Sequence, residues 1–128
     1  MTQTAITSIS PSFIVRHVPT TLAYYCEMLG FKIEYQHPDP EPFFAIVQRN
    51  GAMIFLKAVG VEPLPNCKRH PWAQWDVYAS VPDPDELAAE FKSRGVVFSK
   101  PLQDTHDGLR GFELEDPDGH VLFFGRPR

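Results

Sequence analysis

FAIVQRNGAMIFL, residues 44–56, and FELEDPDGHVLFF, residues 112–124, state one pattern twice. In each, a Phe stands seven positions before a turn Gly, and an apolar strand follows: Phe44 with Gly51, Phe112 with Gly119. Upstream the echo continues, because Leu22 precedes Gly30 by eight residues and Leu87 precedes Gly95 by eight. A duplicated β-α-β-β-β unit accounts for this spacing. Two copies are too few for a solenoid, which needs more repeats to bury its faces. The reading is therefore one domain over residues 1–128, with modules at about 8–58 and 72–126, a linker at 59–71, and a cleft between the halves.

Local signals fill in the unit. Residues 10–16 read as a strand with Phe13 and Val15 on one face. Pro19 and Thr20 open a helix whose Leu22, Tyr25, Cys26 and Leu29 form a half-buried stripe, and Gly30 ends it. Phe31 to Tyr35 read as the second strand. Arg49-Asn50-Gly51 is a hairpin signal. In the second half residues 74–81 read as a strand. Asp83, Pro84 and Glu86 make a capping box, and Leu87 and Phe91 form the buried stripe. Glu90 and Arg94 are an exposed pair one turn apart. Val96 to Ser99 read as a strand, followed by a polar loop to Leu109. Asp116-Pro117-Asp118-Gly119 suits a type I turn.

Composition narrows the function classes. The 128 residues carry a net charge of −4 with scattered basic residues, which argues against nucleic acid. No apolar run approaches membrane-spanning length. The first ten residues, MTQTAITSIS, lack the marks of a signal peptide. Cys26 and Cys67 then read as reduced thiols of a cytoplasmic protein. No histidine pair has the HxxxH spacing, and no Gly-rich phosphate loop or Ser-His-Asp pattern occurs. His17, His37, His70, His106 and His120 are read as structural or solvated.

FIVRHVPTTLAYYCEMLGFKIEY, residues 13–35, and GLRGFELEDPDGHVLFFGRP, residues 108–127, resemble the vicinal oxygen chelate superfamily of glyoxalases, bleomycin resistance proteins and extradiol dioxygenases. The resemblance implies an α+β fold. Two βαβββ modules would form a curved eight-strand mixed sheet, with helices on the convex side and the ligand on the concave side. It also implies a homodimer. Metal-dependent members carry ligands at four concave positions, which fall here on Ser10, Phe55, Asp76 and Phe123. A phenyl ring offers a metal no lone pair, and three or four N, O or S donors are needed. No metal and no cofactor are therefore expected.

Strand alternation assigns the faces. Phe13, Val15, Ile54, Leu56, Val77, Ala79, Phe112, Leu114, Leu122 and Phe124 should pack under the helices, as should Trp75. The concave face should carry Ser10, Ser12, Ala45, Val47, Met53, Phe55, Lys57, Gln74, Asp76, Tyr78, Glu113, Val121 and Phe123. That mixture suits a small-molecule pocket. The ligand-binding candidates are Ser10, Met53, Phe55, Lys57, Trp72, Asp76, Tyr78, Arg110, Glu113 and Phe123. Asp76 and Glu113 are also candidates for catalysis, since a carboxylate in an apolar cleft can move a proton. The first functional reading is a metal-independent binder of an aromatic or cationic ligand, resembling the bleomycin resistance branch. The alternative is a glyoxalase-related lyase or isomerase using Asp76 or Glu113 as base, or a rearranged metal site.

Overall fold

A computed structural model describes residues 2–128. The first half contains β1 (Ser12–Ile14), α1 (Val18–Ala23) running into a π-helical turn (Tyr24–Met28), β2 (Lys32–His37), β3 (Phe44–Arg49) and β4 (Ala52–Lys57). A short helix, α2 (Asn66–Arg69), interrupts the segment between the halves. The second half contains β5 (Val77–Ser80), α3 (Pro84–Ser93), β6 (Lys100–Asp104), β7 (Leu109–Glu115) and β8 (Val121–Pro127). The fold is α+β, and its eight strands form two four-stranded mixed sheets, not one continuous hydrogen-bonded sheet. Their orders, β1-β4-β3-β2 and β5-β8-β7-β6, are the same topology written twice.

Helices α1 and α3 form where the sequence places them, for local reasons, whereas α2 lies within the stretch read as a linker. Asp83 caps α3 by accepting from the Glu86 amide at 3.0 Å, and Pro84 follows at the first turn. The stripe that α3 buries is Pro84, Ala88 and Phe91, while Leu87 is only half-buried. On the first helix Leu22, Tyr25 and Leu29 are buried, with Cys26 at the margin. Burial pushes the Cys26 thiol above its ordinary pKa, with the nearby Glu27 charge adding to the shift. Phe13, Val15, Ile54, Leu56, Phe112, Leu114, Leu122 and Phe124 pack into one apolar core with Leu22, Tyr25 and Phe91, so both halves share it.

The strands depart from the sequence reading in several places, and β1 and β5 are shorter than the expected 10–16 and 74–81. The expected strand at residues 96–99 is irregular, and β6 begins only at Lys100, before Pro101. An edge strand tolerates that proline because its outer face has no ladder to donate to. The faces of β3 are also reversed. Ala45 and Val47 are fully buried in the core, and Phe44, opposite Lys57, lies on the concave side. The cause is turn length. Asn50 and Gly51 both have positive φ, 52° and 86°, and make a tight two-residue hairpin in which Arg49 pairs with Ala52. The second turn is longer, with Glu115 pairing with Val121. Ala45, opposite Leu56, therefore occupies the place of Phe112, opposite Phe124.

Each hairpin grips the other half. Arg49 donates to Glu90 of α3 at 2.7 and 2.9 Å and to the Leu29 carbonyl at 2.8 Å. In the reverse direction, Asp118 accepts from the Arg16 amide at 3.0 Å and the Thr21 hydroxyl at 2.9 Å. The turn Asp116–His120 is thus a buried plug, with Asp116, Asp118 and His120 all covered.

Candidate functional site

The concave face of the second sheet carries a stack of three aromatic rings. The Phe123 ring lies 4.8 Å from Trp75 at 29° and 5.4 Å from Tyr78 at 20°, all centroid distances. Such offset stacking is favourable beyond simple area burial. Two glycines let Phe123 sink into the sheet. A Cβ on Gly111 would lie 2.5 Å from its Cζ, and one on Gly125 would lie 2.5 Å from its Cε1. Phe123 is consequently 2 % exposed and forms the floor.

Trp75 is not under the helices. The sequence reading extended strand alternation back to residue 74, but β5 starts at Val77, so the alternation does not reach Trp75. Its indole Nε1–H donates to Oε2 of Glu113 at 3.1 Å. Lys100 Nζ stands 3.6 Å from the same oxygen. Glu113 pairs across the ladder with Phe123, which sets its carboxylate beside the aromatic floor. Oε1 accepts no hydrogen bond among the described residues.

Around this stack lies a cleft of about 880 Å³, bounded by Trp72, Gln74, Trp75, Lys100, His106, Glu113 and Phe123. Trp72 stands at its mouth, 85 % exposed, with its amide donating to His70 Nδ1 at 3.0 Å. Asp104, Asp107, Glu113 and Glu115 line the cleft against one lysine, Lys100, so its charge balance is acidic. The Thr105 hydroxyl bonded to Asp107 holds that carboxyl below its ordinary pKa.

Every lining residue comes from the stretch 67–123. Of the sequence candidates, Trp72, Glu113 and Phe123 are brought together there, and Tyr78 joins through the stack. Met53, Phe55 and Lys57 lie on the first sheet, outside the cleft, so the two halves of one chain do not jointly enclose it. Ser10 precedes β1 and is half-buried. Arg110 is on the opposite face, in ion pairs with Asp85 at 2.7 Å and Asp104 at 3.1 Å. Its hydrogen bond lowers the Asp85 pKa and raises that of Arg110. Asp76 is a staple: Oδ1 accepts from the Asn66 amide at 3.0 Å and Oδ2 from the Val121 amide at 2.8 Å. Trp75 is the site residue that sequence reasoning missed, along with Lys100, which had no signal beyond its charge.

The first sheet has its own concave patch. Phe44 and Phe55 meet edge-on at 6.0 Å, and Tyr35 tilts against Phe44 at 6.0 Å. Tyr35 is half exposed.

The donor set does not fit a metal at the superfamily positions. Phe55 and Phe123 supply no donor, Ser10 only a hydroxyl, and both oxygens of Asp76 hold amides. Asp116, Asp118 and His120 do cluster, with one donor atom each within 4.8 Å. Their atoms are already engaged. Asp116 Oδ1 accepts from the amides of Asp118 and His120, and Oδ2 accepts from Tyr25 and lies 3.0 Å from His120 Nδ1. Asp118 is held by Arg16 and Thr21. This cluster ties the halves together.

Comparison with known proteins agrees with the geometry. The family profile "Glyoxalase/Bleomycin resistance protein/Dioxygenase superfamily" matches residues 6–124. No curated protein matches by sequence. Among solved structures, TioX from Micromonospora sp. ML1 is similar at 21% identity and a TM-score of 0.74, covering 94% of this chain and 98% of that one. TnmS3, an antibiotic binding protein from Streptomyces sp. CB03234, is 24% identical with a TM-score of 0.68, covering 98% and 100%. The bleomycin-binding protein of Streptomyces verticillus, complexed with copper(II)-bleomycin, is 19% identical with a TM-score of 0.73, covering 98% and 100%. At such identities the likeness shows the fold.

Proposed function

The chain belongs to the Glyoxalase/Bleomycin resistance protein/Dioxygenase superfamily, and on that premise we propose that it is a metal-independent binder of planar aromatic cations. The observation that carries this reading is the Trp75–Phe123–Tyr78 stack with the Glu113 carboxylate at its edge. A planar ring extends the stack, and its positive charge meets Glu113 in an acidic cleft. Charge complementarity also steers such a ligand inward. That TnmS3 is an antibiotic binding protein and the Streptomyces verticillus protein is seen with bleomycin favours sequestration over chemistry. No helix among the described residues is long and apolar enough to cross a membrane. We place the protein in the cytoplasm, where Cys26 and Cys67 remain free thiols.

The working unit in this proposal is a homodimer. The cleft is walled by one half of the chain, and the patch of Tyr35, Phe44, Met53 and Phe55 on the other half is only partly covered among the described residues. A second copy turned about a two-fold axis lays that patch over the cleft, twice, by symmetry. Ser10, Met53, Phe55 and Lys57 of one protomer then face Trp72, Tyr78, Glu113 and Phe123 of the other.

Dialysed protein titrated with planar aromatic cations, and with neutral and anionic analogues of equal size, tests the reading. Cationic rings should raise the melting temperature by mass action and quench tryptophan fluorescence. Equal response to all three charge classes, or none, overturns it.

A further inference from the structure

The two halves share a topology but differ where they meet. Counting one and five residues on from the turn glycines pairs Ala52 with His120 and Leu56 with Phe124. In the parallel ladders, Phe13 is opposite Leu56 and Ala79 is opposite Phe124. Phe13 therefore corresponds to Ala79. On one side of the pseudo-two-fold axis the seam is filled by the stacked pair Phe13 and His120, at 4.1 Å and 3°. On the other side both ring positions are alanines.

The missing rings leave a cavity of about 550 Å³. Phe31, Phe91 and Phe124 form its apolar wall together with Ala52 and Ala79, and Glu86 stands at its edge. It shares no lining residue with the concave cleft. The basic group beside it is already satisfied, since Arg49 spends its guanidinium on Glu90 and the Leu29 carbonyl. Asp83 is occupied with the α3 cap. The Glu86 carboxylate has no hydrogen-bond or ion-pair partner among the described residues, so the charge left over is negative.

We propose that this cavity is a second ligand site, which takes an arylalkylamine: an aromatic ring in the space vacated by the Phe–His pair and an ammonium tail toward Glu86. A ring laid against this apolar wall removes apolar surface from water, and an exposed carboxylate at the edge selects the cation. The site is independent of the concave cleft and of the function proposed for it.

Tryptamine is a suitable probe, with indole and indole-3-acetate as neutral and anionic controls. Titration followed by backbone amide NMR should move the resonances of Ala52, Val81 and Leu87 in a saturable way. Indole should bind more weakly, and indole-3-acetate weaker still. Rebuilding the ring pair with Ala52→His and Ala79→Phe should abolish these shifts. Glu86→Gln, an exposed change that spares the core, should weaken tryptamine about tenfold and leave indole unchanged. The proposal is overturned if only resonances around Trp75 and Phe123 move, if the filled variant responds like the parent protein, or if indole-3-acetate binds as well as tryptamine. Should the filled variant not fold, the Glu86→Gln comparison decides alone. Failure here leaves the concave-cleft reading intact, because that reading is tested at Trp75.

Discussion

The Tyr25 hydroxyl donates to Oδ2 of Asp116 at 2.9 Å, and both groups are buried. One belongs to the helix of the first half and the other to the last hairpin of the second. Burial and the Asp116 charge together push the Tyr25 phenol well above its ordinary pKa. Replacing Tyr25 with Phe removes the donor and keeps the ring. The cost should be about 1–3 kcal/mol, because a buried carboxylate oxygen loses a partner. Denaturant unfolding measures it, and a loss below a few tenths would show that the contact does not join the halves.

Alkaline titration should see the same seam. Tyr24 is pushed up to about 12, first by burial and then by the Asp116 charge. A raised folded-state pKa means that the stabilisation is complete below the ordinary phenol pKa and fades as pH climbs through the raised value. Phenolate absorbance should therefore show Tyr24 and Tyr25 resisting ionisation until the protein unfolds. Ionisation of Tyr24 and Tyr25 at the ordinary phenol pKa in the folded protein would contradict the buried seam.

Glu90 sets the acid limb. The Arg49 hydrogen bond, ahead of the Arg94 pair, holds its carboxyl below the usual range. A depressed pKa stabilises above the unfolded value and is lost as pH falls through the folded one. Glu90→Gln should therefore be less stable than the parent at neutral pH, by no more than about 1 kcal/mol for so accessible a pair. The difference should begin to shrink as pH falls below the ordinary glutamate pKa of about 4.3 and close only through the lowered folded-state value. A gap that is constant with pH would assign the effect to packing.

Phe123 and Glu113 separate stability from binding. Phe123→Ala should cost about 3–5 kcal/mol, since the ring is buried over Gly111 and Gly125. Glu113→Gln should cost little stability and weaken a cationic aromatic ligand about tenfold or more, leaving a neutral one unaffected. Calorimetric titration of Glu113→Gln reads this directly. Equal losses for both ligands would remove the charge from the recognition.

Assembly has its own test. Phe55→Glu on the partly covered patch should convert a dimer to a monomer in sedimentation, and should weaken ligand binding in the cleft of the partner. A monomeric parent protein at micromolar concentration would sink the shared-cleft proposal.

Much of the architecture is written in local chemistry. The Asp83 cap, the Asn50-Gly51 turn and the paired strand-helix-strand pattern depend on neighbours in the chain, and each could be read there. The helix-side residues of β1, β4, β7 and β8 followed from alternation for the same reason. What tertiary structure alone decided begins where local periodicity ends. The two-residue first turn and the five-residue second turn leave the hairpins one residue apart in register, which reversed the faces of β3 and buried Ala45 and Val47. Trp75 lies just before β5, so its direction was set by Phe123 and Glu113, not by the pleat. Asp76, legible as a polar residue on a concave strand, is committed by two amides distant in sequence. The turn Asp116–His120 looks like a solvated loop, yet its two carboxylates are buried, because Thr21 of α1 and Tyr25 of the π-helical turn supply the hydroxyl donors they need. Burying a charge is tolerable only where partners wait for it, and which partners wait is a property of the folded chain.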